Sequence, residues 1–420
     1  MPGLLTDRAE AIRRIAAAHG PVVRVPVPGK PFHLVSCPEL ARHVLLTNHK
    51  NYRKSFDWRI VHSLLGDGLV TSHDEVWRHA RAAVAPSFRA GPVAAMVPAL
   101  ARVVDEEVSA WRPGELATVR STTRLALRAF TSAALSVEAG PEELAGIAAS
   151  VATGLKHLDA RLAALVDLAG FLPTPGRLRF ARARRRLDAI LHGWIDARAA
   201  RPGRDLLSVL IAASTRVPGG LEPRRWIRDQ LVTFILAGHE TVAVSLTWAL
   251  ELLARHPAAQ ARLAGELPAG PSPEWLERWT PLDAAIHEAL RLYPPVWSLG
   301  REAVADDRLG GFAVPAGATV MISPYAIQRR ADLWPDPDAF RPERFAGGPP
   351  GQEGPLAWLP FSAGPRFCVG ERMALLELKL ALRAILTRFR VELVSPAPVP
   401  REALISLRPR RELPLRLVPR

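Results

Sequence analysis

One of only two cysteines in this 420-residue chain lies in the segment 361–370, Phe-Ser-Ala-Gly-Pro-Arg-Phe-Cys-Val-Gly. An apolar-periodic run follows at once, through Val369, Met373, Leu376, Leu380 and Ala384, and its spacing predicts a helix with Cys368 just before the first turn. Free backbone N–H groups and the positive end of the helix dipole then point toward the sulfur. Arg366 and Arg372 add positive charge, and all three effects favour thiolate over thiol. Gly364 and Gly370 let the backbone turn tightly and approach a flat ligand closely. A stabilised thiolate in such a loop suits one soft metal ligand, with the other metal bonds supplied by a cofactor. A lone cysteine beside a helix is more often a buried small hydrophobe, and Cys368 alone does not decide between these readings.

Composition narrows the setting. The chain is long enough for a large core, and length alone suggests two or three domains. Two cysteines cannot make a disulfide framework, so a reducing cytoplasm is expected. Cys37, before Pro38 where a strand ends, reads as structural. Net charge is +14, from 55 basic and 41 acidic residues, nearly all the basic ones arginine. Such a surface attracts nucleic acid, anionic membrane or an acidic partner. No nucleic-acid motif is present and aromatic content is low, which sets nucleic acid aside. The opening residues run into Asp7, Arg8 and Glu10 with neither a signal-peptide core nor a membrane anchor.

Taken in order, residues 7–19 read as a helix closed by Gly20, and 22–27 and 32–36 as two strands joined by a Pro-Gly turn. A helix from Pro38 follows. Ser72-His73-Asp74-Glu75 reads as a capping box that starts a helix carrying Trp77 and Arg81 on one face. Residues 91–200 read as successive helices. The dense basic run 177–186 sits beside an apolar face of Phe180, Leu187, Ile190, Leu191, Trp194 and Ile195, as on a solvated amphipathic helix.

The longest helical stretch is 223–255. Its centre, 231–253, is apolar enough to raise a transmembrane reading, but Gly238-His239-Glu240-Thr241 sits in its middle, where a bilayer penalises polar groups. A buried central helix is expected instead. Ala237, Gly238 and Thr241 share one face, bare of bulk and carrying one hydroxyl, which can hold dioxygen. Glu240 points to another side, a place for proton supply. A helix from Thr280-Pro281 contains Glu288 and Arg291, an i,i+3 ion pair of a commonplace kind. Strand-like alternation follows Arg301 through Ile322, and 402–417 reads as a hairpin with its tip near Leu404 and Ile405. Phe56, Trp58, Phe234, Val296, Trp297, Leu299, Leu404 and Ile405 suggest an apolar pocket.

The full spacing Phe361-x-x-Gly364-x-Arg366-x-Cys368-x-Gly370 resembles the haem-binding signature of the cytochrome P450 family. Four further strings resemble the family's motifs in the family's order: Trp77-x-x-x-Arg81, Ala237-Gly238-x-Glu240-Thr241, Glu288-x-x-Arg291, and Pro342-Glu343-Arg344-Phe345. The resemblance covers nearly the whole chain. It implies one domain over residues 1–420, mainly α with a smaller β portion near 22–36, 300–325 and 390–417. In that fold, a triangular helical prism, haem lies between the family's I- and L-helices.

The resemblance also implies roles. Cys368 ligates the haem b iron, with Phe361 and Gly370 shaping its loop. Trp77, Arg81, Arg301 and Arg366 hold the propionates. Ala237 and Gly238 border the dioxygen site, where Thr241 and Glu240 assist protonation. Glu288, Arg291 and Arg344 form a buried network that fixes the cysteine loop. One departure stands out: Gln328 replaces a histidine that in many relatives contacts a propionate. The implied activity is a monooxygenase that uses dioxygen on an apolar organic substrate such as a terpenoid, polyketide or fatty acyl chain. Its electrons come from a separate ferredoxin and ferredoxin reductase, docking on a basic face that includes Arg78, Arg89 and Arg372. Two rival readings are a catalytically silent scaffold that activates a partner, and a haem-thiolate isomerase or peroxide-using enzyme. The first tends to lack the cysteine and the second the acid–threonine pair; this chain keeps both.

Overall fold

The computed structural model describes residues 7–26, 31–55, 58–163, 174–351 and 355–420. The chain is 60% helical with small sheets, the mainly α composition the sequence predicts. It divides into two compact units, and the chain passes between them at more than one point, including within the helix Pro223–Arg255, between Glu240 and Thr241.

The first unit comprises residues 1–55, 107–122 and 241–420. Helix α1 (Arg8–His19) is capped by the Asp7 carboxylate, which accepts from the Glu10 N–H, and it ends at Gly20 with φ 94°. Strands β1 (Val22–Val25) and β2 (Phe32–Val35) pair antiparallel; the Pro-Gly turn expected between them lies outside the described residues. Helix α2 (Pro38–Arg42) passes directly into a π-helical turn, His43–Thr47. Cys37 is the buried N-cap of α2, and burial pushes its thiol pKa up, as a structural cysteine requires.

The largest sheet has the order β1-β2-β8-β5-β3 and adds β3 (Tyr52–Lys54), β5 (Leu299–Ala303) and β8 (Thr319–Ile322). Only β2 and β8 run parallel, with Leu34 opposite Met321. A second sheet, β4-β12-β9, joins β4 (Gly114–Ala117), β9 (Phe389–Leu393) and β12 (Pro414–Pro419). Strands β6 (Asp307–Leu309) and β7 (Phe312–Val314) form one hairpin, and β10 (Arg401–Ala403) and β11 (Leu407–Pro409) another. The C-terminal hairpin is therefore shorter than the sequence suggests. It closes at Pro409, and β12 pairs in a different sheet because its alternate residues Leu415 and Leu417 are buried there.

The second unit comprises residues 56–106 and 123–240 and is almost wholly helical. Helix α3 (Asp74–Val84) starts one residue later than a capping box at Ser72 requires: His73 is the N-cap and no side chain caps the helix. The cause is local, since Thr71 and Ser72 both donate backbone N–H groups to the Gly68 carbonyl and Asp74 takes φ 45°. Helices α4 (Pro141–Ala163) and α5 (Pro175–Ala200) pack through His157 stacked on Phe180 at 4.5 Å and Trp194 donating to Glu143 at 3.2 Å. Phe180, Leu187, Leu191, Trp194 and Ile195 are buried on α5 while Arg177, Arg179, Arg182 and Arg184 are exposed, the solvated-face arrangement.

Helix α6 (Leu206–Ala213) is capped by Asp205. Helix α7 (Pro223–Arg255) is long and apolar enough to cross a membrane, yet 78% of its most apolar window is buried inside the protein. Its first half is tied to the loop 66–69: Asp229 accepts the Asp67 N–H at 2.9 Å, and Gln230 accepts from Leu69 and donates to the Asp67 carbonyl.

Candidate active site

In the first unit the cysteine loop runs into helix α10 (Glu371–Arg388), whose N-cap is Gly370. The Cys368 N–H donates to the Phe361 carbonyl at 3.0 Å, and the Phe367 N–H to the Gly364 carbonyl at 2.9 Å. These two bonds close the loop on itself and leave Cys368 exposed. Gly364 has φ 71°, and a Cβ placed on it would lie 2.0 Å from the Leu45 carbonyl oxygen, so only glycine fits. Arg366 and Gly370 are half-buried on the same loop, and the half-buried Phe361 ring meets Trp358 edge-on at 5.9 Å.

Arg301 on β5 is 5% exposed, and among the described residues its guanidinium hydrogen-bonds only the Gly300 carbonyl, at 2.9 Å. No carboxylate among the described residues pairs with it. Burial pushes its pKa down to about 10. A buried guanidinium without an anion is costly, and a propionate is the kind of anion it lacks. That arginine and the exposed Cys368 are what a haem with two carboxylates requires, so the residues present fit the group.

Helix α7 presents the second feature. Residues 231–236 and 242–254 are buried, whereas Ala237 is exposed and Gly238, Glu240 and Thr241 are half-buried. A short band of small and polar residues is thus uncovered in the middle of a core helix. Gly238 has an additional cause: a Cβ there would stand 2.5 Å from the Phe130 ring. His239, between them, is 1% exposed, and its Nδ1 donates to the Ile235 carbonyl. Burial pushes its pKa down, against the Glu240 charge and the Ile235 bond, so the ring is neutral and turned into the helix.

In the second unit Trp77 and Arg81 are half-buried, one turn apart on α3. Phe234 is buried, its ring stacked on Phe88 at 5.9 Å.

Helix α8 (Pro281–Leu292) starts with a complete capping box, Thr280 with Asp283. It carries Glu288 and Arg291, both fully buried. Arg291 donates to both Glu288 oxygens, at 2.6 and 2.8 Å, and to the carbonyls of Gln328, Pro337 and Ala339. Arg344 stands 3.4 Å from Glu288, and its hydrogen bonds go to the Pro335 and Asp336 carbonyls. The structure therefore brings Glu288, Arg291 and Arg344 together.

Gln328, just past helix α9 (Pro324–Ile327), carries a role that sequence reading missed. It is fully buried, donates to the Leu290 and Arg291 carbonyls and accepts the Leu359 N–H at 2.6 Å. Its amide is spent on backbone, two residues before the cysteine loop begins. The pocket residues divide. Trp297 and Leu299 are core residues, the former donating its indole N–H to the Leu404 carbonyl at 2.6 Å. Val296, Leu404 and Ile405 are only half-buried. Phe56 and the Trp58 side chain lie outside what is described.

The family model for Cytochrome P450 matches residues 5–414. The cyclooctat-9-en-7-ol 5-monooxygenase of Streptomyces melanosporofaciens is 34% identical over 91% of this chain and 84% of its own. The pentalenene oxygenase of Streptomyces avermitilis is 30% identical over 96% and 91%. A solved six-coordinated cytochrome P450 from Thermus thermophilus superimposes with a TM-score of 0.78 at 31% identity, covering 97% of this chain and 98% of that one. The chain belongs to the cytochrome P450 family. It is a monooxygenase, an oxidoreductase that uses haem and dioxygen.

Proposed function

We propose that this protein binds haem b through Cys368 and hydroxylates an apolar, cyclic natural product of terpenoid type. The observation that carries the haem assignment is Arg301, a buried cation with no carboxylate partner among the described residues, in the unit that also holds Cys368. Arg366, and on α3 Trp77 and Arg81, complete the propionate contacts. The backbone N–H groups opening α10 and the Arg366 guanidinium keep the Cys368 sulfur anionic. Haem, when bound, supplies the activation of dioxygen and the attack on the C–H bond. The chain supplies the rest. Thr241 Oγ1 hydrogen-bonds dioxygen, and the Glu240 carboxylate delivers protons through ordered water. Ala237 leaves room beside them. Val296, Leu404 and Ile405 contribute an apolar wall that orients the substrate and excludes water.

The terpenoid class rests on the relatives named cyclooctat-9-en-7-ol 5-monooxygenase, cyclooctatin synthase and pentalenene oxygenase. Those names also favour monooxygenation over the scaffold and isomerase readings. Electrons come from a ferredoxin and its reductase, drawn by exposed arginines such as Arg372 beside the cysteine loop. Only two cysteines in the chain, too few for a disulfide framework, support a cytoplasmic setting. The reduced, carbon monoxide-treated protein should show the red-shifted Soret band of a thiolate-ligated haem, absent in Cys368→Ala. An unshifted band in the unaltered protein overturns the ligand assignment. A spectral-shift screen of cyclic terpene hydrocarbons and alcohols then tests the substrate class, and binding confined to fatty acids would refute it.

A further inference from the structure

One carboxylate far from the cysteine in sequence organises the surface against which the cysteine loop rests. Asp307 Oδ2 accepts from three side chains: Tyr52 Oη at 2.6 Å, His43 Nε2 at 2.8 Å and Asn48 Nδ2 at 3.0 Å. Oδ1 accepts the Arg308 N–H at 2.7 Å. Burial alone would raise its pKa, but these hydrogen bonds prevail and hold it at about 2, so the acceptor is ionised in ordinary conditions. His43 and Asn48 are the first residue and the C-cap of the π-helical turn, joined by the Asn48 N–H to His43 carbonyl bond at 2.8 Å. Asp307 therefore clamps both ends of a turn that is rare in proteins and concentrated at functional sites. The middle of that turn is what touches the loop. Leu45 presents its carbonyl to Gly364, whose own carbonyl closes the turn before Cys368, and Leu45 and Ala363 share one core cluster with Tyr52.

We infer that Asp307 is a positioning residue for Cys368, acting through the π-turn His43–Thr47 and the Leu45–Gly364 contact. The inference rests on the reading that Cys368 carries the iron. Without the clamp three donors lose their acceptor, the turn relaxes toward an ordinary α-helix, and the backstop of the loop shifts. Thiolate ligation then becomes easier to lose, as when outer partners of a metal ligand are removed.

The test compares Asp307→Ala with Asp205→Ala, which removes the α6 cap and the Arg198 ion pair in the other unit. Two readouts are taken at temperatures giving each variant equal margin below its Tm. The first is the rate at which the holoprotein's red-shifted carbonyl band converts to the unshifted form. The second is alkylation of Cys368 by iodoacetamide in the haem-free protein, followed by mass spectrometry, with buried Cys37 as internal reference. Asp307→Ala should change both rates by about tenfold, and Asp205→Ala neither. Equal rates in the two variants would reduce Asp307 to a general stabiliser and overturn the inference. A wild-type protein without the red-shifted band refutes the ligand assignment instead, and the alkylation comparison still decides the positioning role.

Discussion

The carboxamide oxygen of Gln328 accepts the Leu359 N–H at 2.6 Å while its nitrogen donates to the Arg291 carbonyl at 2.8 Å. One side chain thus stitches the end of α8, where the Glu288–Arg291 pair lies, to the strand of chain leading into Phe361. Gln328→Ala would leave the Leu290 and Arg291 carbonyls and the Leu359 N–H without that partner in a buried place. We expect a loss of about 3 kcal/mol in urea unfolding. Gln328→His, with one donor and one acceptor at fixed geometry, should recover only part of it. An alanine variant as stable as the parent would show that water replaces the amide.

Arg301→Met separates apoprotein stability from haem retention. The guanidinium has no anion among the described residues, so its removal should stabilise the haem-free form by about 2 kcal/mol. The same change should speed haem transfer to a scavenger globin by about tenfold. A variant whose apoprotein is less stable than the parent would mean that Arg301 is already compensated.

Glu377 on α10 gives a pH signature. It is 1% exposed, its Oε1 has no hydrogen-bond partner among the described residues, and burial raises its pKa well above the ordinary 4.5. Below that value folded and unfolded chains are both protonated and the group is neutral to stability. Above it the unfolded chain ionises while the folded one holds its proton, so stability falls as pH rises toward the folded pKa. Glu377→Gln should therefore unfold like the parent near pH 4.5 and be more stable at pH 8. A constant difference across that range would mean that Glu377 does not titrate with folding.

Thr241→Ala should keep haem content and the carbonyl spectrum while product per electron pair falls by about 10² and hydrogen peroxide rises. Peroxide and product yields measured against reductant consumed decide this, and unchanged coupling removes Thr241 from proton delivery.

Much of the scaffold was readable because its causes are short-range. The helix start at Thr280-Pro281, the start of α10 after Gly370 and the extent of α7 each follow from signals local to the chain. Glu288 and Arg291 are three apart, so their pairing was legible. Their burial was expected from the family resemblance and not from the spacing, and neither foretold that Arg344 gives its hydrogen bonds to the Pro335 and Asp336 carbonyls. Ser72 had the spacing of a cap and lost it to the Gly68 turn. Trp297 and Leu299 had the character of pocket residues and went to the core, because apolar side chains carry no mark of which apolar surface they will meet.

From residue order alone came the helical class, the family, and a cysteine set before a helix, since each depends on spacing along the chain. Folding in three dimensions decided that Arg301 lies buried with no anion among the described residues, that Gln328 serves the backbone, and that Asp307 meets His43 across 264 residues. Those choices turn on which distant groups share a desolvated space, where a polar atom must find a partner or bear the cost of having none. No local pattern encodes that partner.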